Sequence, residues 1–259
     1  MGIHTTAVVP DGATIHPSVE IGPYAVVSAG TVLAENVRIG AHAVLEGSVE
    51  IGPGTRIFPH AVVGEEPQDL GFEECASGVR IGARTQIREF VSIHRGSKEG
   101  GWTTIGDDCM LMQTTHVAHD CRLGDRVVMV GGAVLAGHVE VGDRVMFGGI
   151  SGAHQFCRIG RLSMIGGLRR VPRDVPPFTM VNHVEGVSAV NLVGMRRAGY
   201  DHETIRELQR MVKRLRDHVM PVSEQIEELA DEARSEAAHE FVAAMQDPGP
   251  RGLITFAPR

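Results

Sequence analysis

The stretch IGAHAVLEGSVEIGPGTRI, residues 39 to 57, carries an aliphatic residue at every sixth position: Ile39, Leu45, Ile51 and Ile57. Followed outward, the same phase starts at Ile3 and runs through Val9, Ile15, Ile21, Val27 and Leu33 up to Val63. It resumes at Ile81, Ile87 and Ile93, again at Ile105, and then continues by sixes to Val171. The two interruptions span multiples of six (81 − 63 = 18; 105 − 93 = 12), so the phase survives them. Four places after the aliphatic residue stands something small or β-branched, as at Ala25, Thr31, Val37, Ala43 and Val49. Glycine often follows the aliphatic residue directly, as at Gly22, Gly40, Gly52 and Gly82.

A period of six is neither an amphipathic helix nor a simple alternating strand. Self-similarity held over many units is the signature of a solenoid. If each hexad is a short strand and a turn, the aliphatic and the small residue both point inward, and the glycine is expected to ease the bend. The pattern resembles the hexapeptide-repeat family, the left-handed parallel β-helix, in which three hexads form one triangular coil. That resemblance implies an all-β solenoid.

Past Val171 the beat fades, and RDVPPFTMVNH (173 to 183) reads as a proline-bearing exit. From about Ser188 the pattern turns helical. Ile205, Leu208, Met211, Val212, Leu215 and Val219 form one stripe, with Asp201 placed as its N-cap. After Pro221, a second helix is expected through Ile226, Leu229, Ala233, Ala237 and Phe241. The expected division is a β-helix over 1–183 and a helical tail over 184–259. Residues 196 to 216 hold seven Arg or Lys against three acids, and residues 217 to 247 hold nine acids and one Arg.

A formal charge of −7 and only 4% aromatic residues argue against nucleic-acid binding. No apolar run is long enough to span a membrane. Four cysteines without paired spacing point to a reducing compartment, so a cytoplasmic setting is expected.

With three hexads per coil, residues eighteen apart share a position on neighbouring coils, roughly 4.8 Å apart. His119, Gly137 and Gln155 then form one column, with Asp120, His138 and Phe156 beside it. HVAHDC (116 to 121) thus joins LAGH (135 to 138) and HQF (154 to 156) in one polar patch. Cys109, Cys121 and Cys157 occupy the small inward place and read as core. Zinc is a rival use for clustered histidines. In the carbonic anhydrases of the hexapeptide family, however, the two ligands from one chain are five residues apart, whereas His116 and His119 are three apart. No metal is expected. The reading that remains is general base catalysis by an imidazole oriented by a carboxylate, with the Gly137 N–H available to an oxyanion.

The motifs QDL (68 to 70), IHRG (93 to 96), HVAHDC, LAGH, HQF and RDVPP (173 to 177) together resemble the UDP-N-acetylglucosamine O-acyltransferase family, in order and over nearly the whole chain. The resemblance implies His119 as the base that deprotonates the sugar 3-hydroxyl, Asp120 as its orienter and the Gly137 amide as the oxyanion contact. It implies substrate contacts by Gln68, Asp69, His116, His138, His154 and Gln155, with Asn191 and Arg197 by the nucleotide. Gly167 would sit at the end of the acyl channel, left open for longer chains. The donor would be a 3-hydroxyacyl chain on acyl carrier protein, the acceptor UDP-N-acetylglucosamine, with no cofactor. The assembly would be a homotrimer with sites between subunits, acting at the first step of lipid A biosynthesis. The basic run from Arg196 to Arg216 is expected to dock the acidic carrier. Gly71 stands where members often have lysine after QDL, and RRAG (196 to 199) replaces a more basic sequence. Acylation of a 3-amino sugar and another hexapeptide acyltransferase activity remain alternatives.

Overall fold

The computed structural model describes residues 2–182, 186–217 and 221–257. Three sheets, parallel but for the last strand of one, wrap one interior. Sheet 1 has eight strands from Thr14–Ile15 to Arg158–Ile159, and sheet 3 has eight from Val26–Val27 to Arg170–Val171. Sheet 2 has ten strands, from Glu20–Ile21 to Ala189–Val190. Most strands are two residues long, the second being the aliphatic residue of the beat. Period-two alternation sends that residue inward and its predecessor outward, so Val27 is 2% exposed and Val26 is 36% exposed. From Ile21 to Val171 the beat lines the core, and each fully buried Ile, Leu or Val contributes about 1.5–3 kcal/mol.

Successive strands of a sheet are eighteen residues apart, as in Val26 opposite Val44 and Val44 opposite Val62. Two loops break this spacing. Val62 faces Ser92 and Ser92 faces His116, offsets of 30 and 24, so the coils carry 12 and 6 extra residues. The extra residues lie in loops 66–77 and 95–101, which fasten to each other. Gly100 N–H donates to Ala76 O at 2.7 Å, Ala76 N–H donates to Glu99 at 3.0 Å, and Arg95 pairs with Glu74 at 2.8 Å.

The glycines behind the beat do not make the bends. Left-handed backbone falls two places later, on side-chain-bearing residues such as Tyr24, His42, His60, Arg84, Asp120 and His138, with φ between 55° and 62°. These strained turns are held by bonds to the preceding coil, to a backbone carbonyl as from His138 N–H to His119 O at 3.0 Å, or to a side chain as from Tyr24 N–H to Thr6 Oγ1 at 3.1 Å. Glycine serves clearance instead. A Cβ at Gly40 would stand 2.6 Å from Pro59 N, and one at Gly142 would stand 2.6 Å from Arg161 N.

Three corners run along the prism. Between sheets 1 and 2 are Ser18, Asn36, Arg84, Arg126, Arg144, Leu162 and Phe178 (the Ser18 corner). Between sheets 2 and 3 are Tyr24, His42, His60, Phe90, Thr114, Ile150 and Leu168 (the Tyr24 corner). Between sheets 3 and 1 are Asp120, His138 and Phe156 (the His119 corner).

The β-helix outlasts the beat, since Thr179–Val181 joins sheet 2 with Met180 opposite Met164. The tail is not purely helical. Ala189–Val190 runs antiparallel to Thr179–Met180, and Thr255–Phe256 pairs with Gly186–Val187. Helix α1 spans Leu192–Arg197, α2 His202–Asp217, α3 Val222–Glu232 and α4 Glu236–Gln246. Asp201 caps α2, accepting Thr204 N–H at 2.8 Å. The expected single helix through Ala233 is two helices. Buried Glu207 of α2 accepts the N–H groups of Arg234 and Ser235 at 2.7 and 3.2 Å, and Ser235 Oγ accepts Ala238 N–H at 3.1 Å. These bonds start a new helix by satisfying its first donors. The 183/184 boundary and Val219 lie outside the described residues.

Candidate active site

His119 sits at the end of a sheet 3 strand (His116–Val117) just before the left-handed Asp120. Its Nδ1 lies 2.7 Å from Asp120 Oδ2, and both side chains are nearly buried, at 13% and 14% exposure. The Asp120 carboxylate also accepts the Ser97 N–H at 3.1 and 3.2 Å, and its backbone N–H donates to Thr103 Oγ1 at 2.8 Å. Burial pushes the Asp120 carboxyl up, but hydrogen bonds from Ser97 and His119 prevail and hold it below the usual carboxylate range. A carboxylate fixed beside Nδ1 makes that nitrogen the donor in the neutral ring, leaving Nε2 to accept a proton.

Gly137 stands one coil above, as the eighteen-residue column requires. A Cβ there would lie 2.6 Å from both Cε1 and Nε2 of His119, so only glycine leaves room for the ring. The N–H groups of Ala136 and His138 are used by neighbouring coils, while that of Gly137 makes no hydrogen bond among the described residues. His138 meets the His119 ring edge-on at 5.1 Å, stacks on Phe156 at 4.8 Å, and places Nε2 3.6 Å from Asp120. His154 and Gln155 are exposed one coil higher.

His116 points outward from sheet 3, with Nδ1 2.8 Å from Ser92 Oγ. Its ring meets His94 edge-on at 4.9 Å. His94 is 6% exposed, and its Nδ1 has no partner among the described residues. Burial, then the neighbouring His116 and His119, push His94 down to about 4. Burial also lowers His116 and His138, so all three are neutral at pH 7. Ser92, His94, Ser97 and Thr103 escaped the sequence reading, because offsets of 30 and 24 hid which residue lies under which.

His119, Asp120 and His138 bring their ligand atoms within 4.8 Å of one another, a geometry a metal could approach. His119 Nδ1 donates to Asp120, and both Asp120 oxygens accept from protein donors, an arrangement that suits proton transfer better. Cys109, Cys121 and Cys157 are core, while Cys75 is half-buried on loop 66–77. Burial raises Cys121 to about 12 and Cys109 and Cys157 to about 11, leaving inert thiols.

The remaining expected residues are dispersed. Gln68 and Asp69 lie on the exposed loop 66–77, where Asp69 Oδ1 accepts Gly71 N–H at 2.9 Å. Gly167 is on the Tyr24 corner, with Gly149 O 3.3 Å from its Cβ position and exposed Ile150 and Leu168 beside it. Asn191 is on the Ser18 corner. It caps α1 by accepting Gly194 N–H at 3.0 Å and ties it to Leu162 O at 2.8 Å, and Arg197 is exposed at the other end of α1. Histidines, Gly167 and Asn191 thus occupy three different corners of one chain. The grooves of about 580 Å³ on the first coils and 880 Å³ beside α2 also lie away from His119.

Fold and corner together define a transferase of the hexapeptide class. The model for bacterial transferase hexapeptide repeats matches residues 103–137, and that for UDP-N-acetylglucosamine O-acyltransferase domain 2 matches residues 174–254. A relative from Anaeromyxobacter dehalogenans, an acyl-(acyl-carrier-protein)–UDP-N-acetylglucosamine O-acyltransferase, is 44% identical over 98% of this chain and 99% of its own. One of the same name from Paraburkholderia phymatum is 50% identical over 80% of each. The UDP-N-acetylglucosamine acyltransferase structure from Campylobacter jejuni superposes with a TM-score of 0.91 at 35% identity, covering 98% of this chain and 99% of that one. The chain belongs to the UDP-N-acetylglucosamine O-acyltransferase family, and its coil is the left-handed parallel β-helix of that family.

Proposed function

We propose that the His119 corner transfers a 3-hydroxyacyl group from acyl carrier protein to the 3-hydroxyl of UDP-N-acetylglucosamine, the first step of lipid A biosynthesis. One observation carries this reading: an imidazole held by Asp120 at Nδ1, with Nε2 directed at the Gly137 backbone. His119 Nε2 takes the proton of the sugar hydroxyl as its oxygen attacks the thioester carbonyl. The resulting oxyanion is met by the Gly137 N–H. Collapse breaks the carbon–sulfur bond, and the thiolate of the carrier takes the proton from the His119 imidazolium. Asp120 stabilises that imidazolium, while neutral His116 and His138 offer hydrogen bonds to the sugar without adding charge.

The dispersal of Gly167, Asn191 and Arg197 over the other corners supports a homotrimer, in which corners of different subunits meet. The carrier would dock on α2, where Arg206, Arg210 and Lys213 line the 880 Å³ cleft. Arg214 is held by Glu228 and Glu232, and Arg216 donates to Ala257 O at 2.7 Å, so the dock is narrower than the basic run. Four free thiols are consistent with a cytoplasmic setting, and no helix among the described residues could cross a membrane.

The test is acyl transfer with UDP-N-acetylglucosamine and its 3-amino analogue, using 3-hydroxyacyl carrier proteins of several lengths. His119→Ala should lower kcat at least ~10²-fold, the usual share of a general base, with the oligomer intact. Near-normal turnover would remove His119 from that role, and preference for the amine would change the acceptor.

A further inference from the structure

The histidine corner faces a loop of one sign. Loop 66–77 carries Glu66, Asp69, Glu73 and Glu74 and no Lys or Arg. Arg95, across from it, is consumed by Glu74 and lies over the Phe72 ring at 5.3 Å. Asp120 adds another carboxylate, and the neutral imidazoles of His94, His116 and His138 do not offset it. A substrate bearing a diphosphate would meet mostly like charge here, which costs affinity.

Lys98 is the counterweight. Its backbone is pinned to the site from both sides. Ser97 N–H binds the Asp120 carboxylate at 3.1 Å, and Lys98 O accepts Gly101 N–H at 2.8 Å. The next residue, Glu99, anchors the same loop to Ala76 at 3.0 Å. The Lys98 side chain is exposed and has no ion pair among the described residues. Its charge acts on His138, as does that of Asp69. Loop 95–101 thus roots this ammonium beside the Asp120 carboxylate, whose Oδ1 lies 3.2 Å from the Gly101 Cβ position, and within electrostatic reach of the His138 ring.

We infer that Lys98 binds a phosphate oxygen of the nucleotide sugar's diphosphate, supplying from loop 95–101 the cation that loop 66–77, with Gly71 after QDL, does not carry. The inference rests on the proposed nucleotide-sugar acyltransferase function. A lysine suits the task because a point charge on a flexible stem needs no fixed geometry. A charge-assisted bond to phosphate contributes mainly to binding, so its loss should appear in KM.

The experiment compares wild type, Lys98→Ala and Lys98→Arg in steady-state transfer and in calorimetric titration with UDP and with uridine. Lys98→Ala should raise KM for UDP-N-acetylglucosamine roughly tenfold, the loss of one charged hydrogen bond. Its kcat and its KM for the acyl carrier should stay within about twofold. UDP should bind more weakly, uridine equally well, and Lys98→Arg should recover most of the difference. Wild type that fails to acylate UDP-N-acetylglucosamine would refute the proposed function, while the UDP titration would still judge Lys98. Unchanged KM and unchanged UDP affinity in Lys98→Ala would overturn the inference. A rise confined to KM for the carrier would overturn it too, assigning Lys98 to the phosphate of the carrier's prosthetic arm.

Discussion

Along the Tyr24 corner, Tyr24, His42, His60 and Phe90 stack face to face with ring centroids 5.1, 5.0 and 5.0 Å apart. On the His119 corner, His138 stacks on Phe156 at 4.8 Å, but His119 meets His138 edge-on at 89°. Both ladders use the left-handed position of the hexad, at His42, His60 and His138 alike. Winding alone therefore delivers columns of imidazoles at coil spacing. The rings of His42 and His60 are exposed and make no side-chain hydrogen bonds among the described residues. His119 instead has a carboxylate on one nitrogen, and that carboxylate is itself fixed by Ser97 from an inserted loop. Stacking is a by-product of the coil, whereas chemistry needs an anchored orientation.

The sharpest way to break the contrast is to unseat the anchored ring. Gly137→Ala places a methyl 2.6 Å from a ring that Asp120 prevents from retreating. Displacing a catalytic group by about 1 Å can cost ~10²-fold, so kcat should fall by that order with little change in melting temperature. A variant with wild-type kcat would mean that the imidazole is free to move.

A smaller effect is expected away from both ladders, at the carrier dock. Arg210→Glu combined with Lys213→Glu should raise KM for the acyl carrier about tenfold at low salt, by exchanging attraction for repulsion. The wild-type KM should itself rise with salt as the Debye length shrinks from about 10 Å at 0.1 M. Equal KM values for the two proteins at low ionic strength would leave α2 as an ordinary solvated face.

Acid should also separate the two corners. His94 remains neutral in the folded protein until about pH 4, whereas the unfolded chain takes up the same proton near 6.5. Protons thus bind the unfolded state preferentially between those values, and the fold loses stability as pH falls from 6.5 to about 4. His94→Asn should flatten that part of the melting-temperature profile. If the mutant and wild-type profiles stay parallel there, His94 titrates normally.

The smallest effect belongs to the idle ladder. His42→Ala with His60→Ala should leave kcat and both KM values within about twofold. Loss of the stacked pairs should cost about 1 kcal/mol, read as a shift of a few degrees in melting temperature. A large kcat loss would show that the Tyr24 corner contributes to the reaction.

Much of this was legible in the chain. The eighteen-residue column of His119 and Gly137, the inward cysteines and the Asp201 cap follow from hexad phase and capping chemistry, and the structure has them. The Ser92–His116 pair, His94 and the Ser97–Asp120 contact were not legible. Phase modulo six is preserved across the two loops, but the offset in whole coils is not. The break at Ala233 was hidden for a different reason, since buried Glu207 on another helix supplies the acceptors that start α4.

The sequence by itself determined which side chains face inward, because a two-residue strand in a six-residue beat sends one to the core and one to solvent. It also determined that histidines eighteen apart share a column. Only the tertiary structure decided which of those columns is anchored, because Asp120 is held by a backbone N–H from a loop whose path depends on its own contacts with loop 66–77. Hexad phase already sets Gly167, twelve residues past Gln155, off the His119 column. But only the tertiary structure decided that Asn191 stands on a third corner, because Ala189–Val190 turns back antiparallel onto Thr179–Met180 and brings Asn191 N–H to Phe178 O.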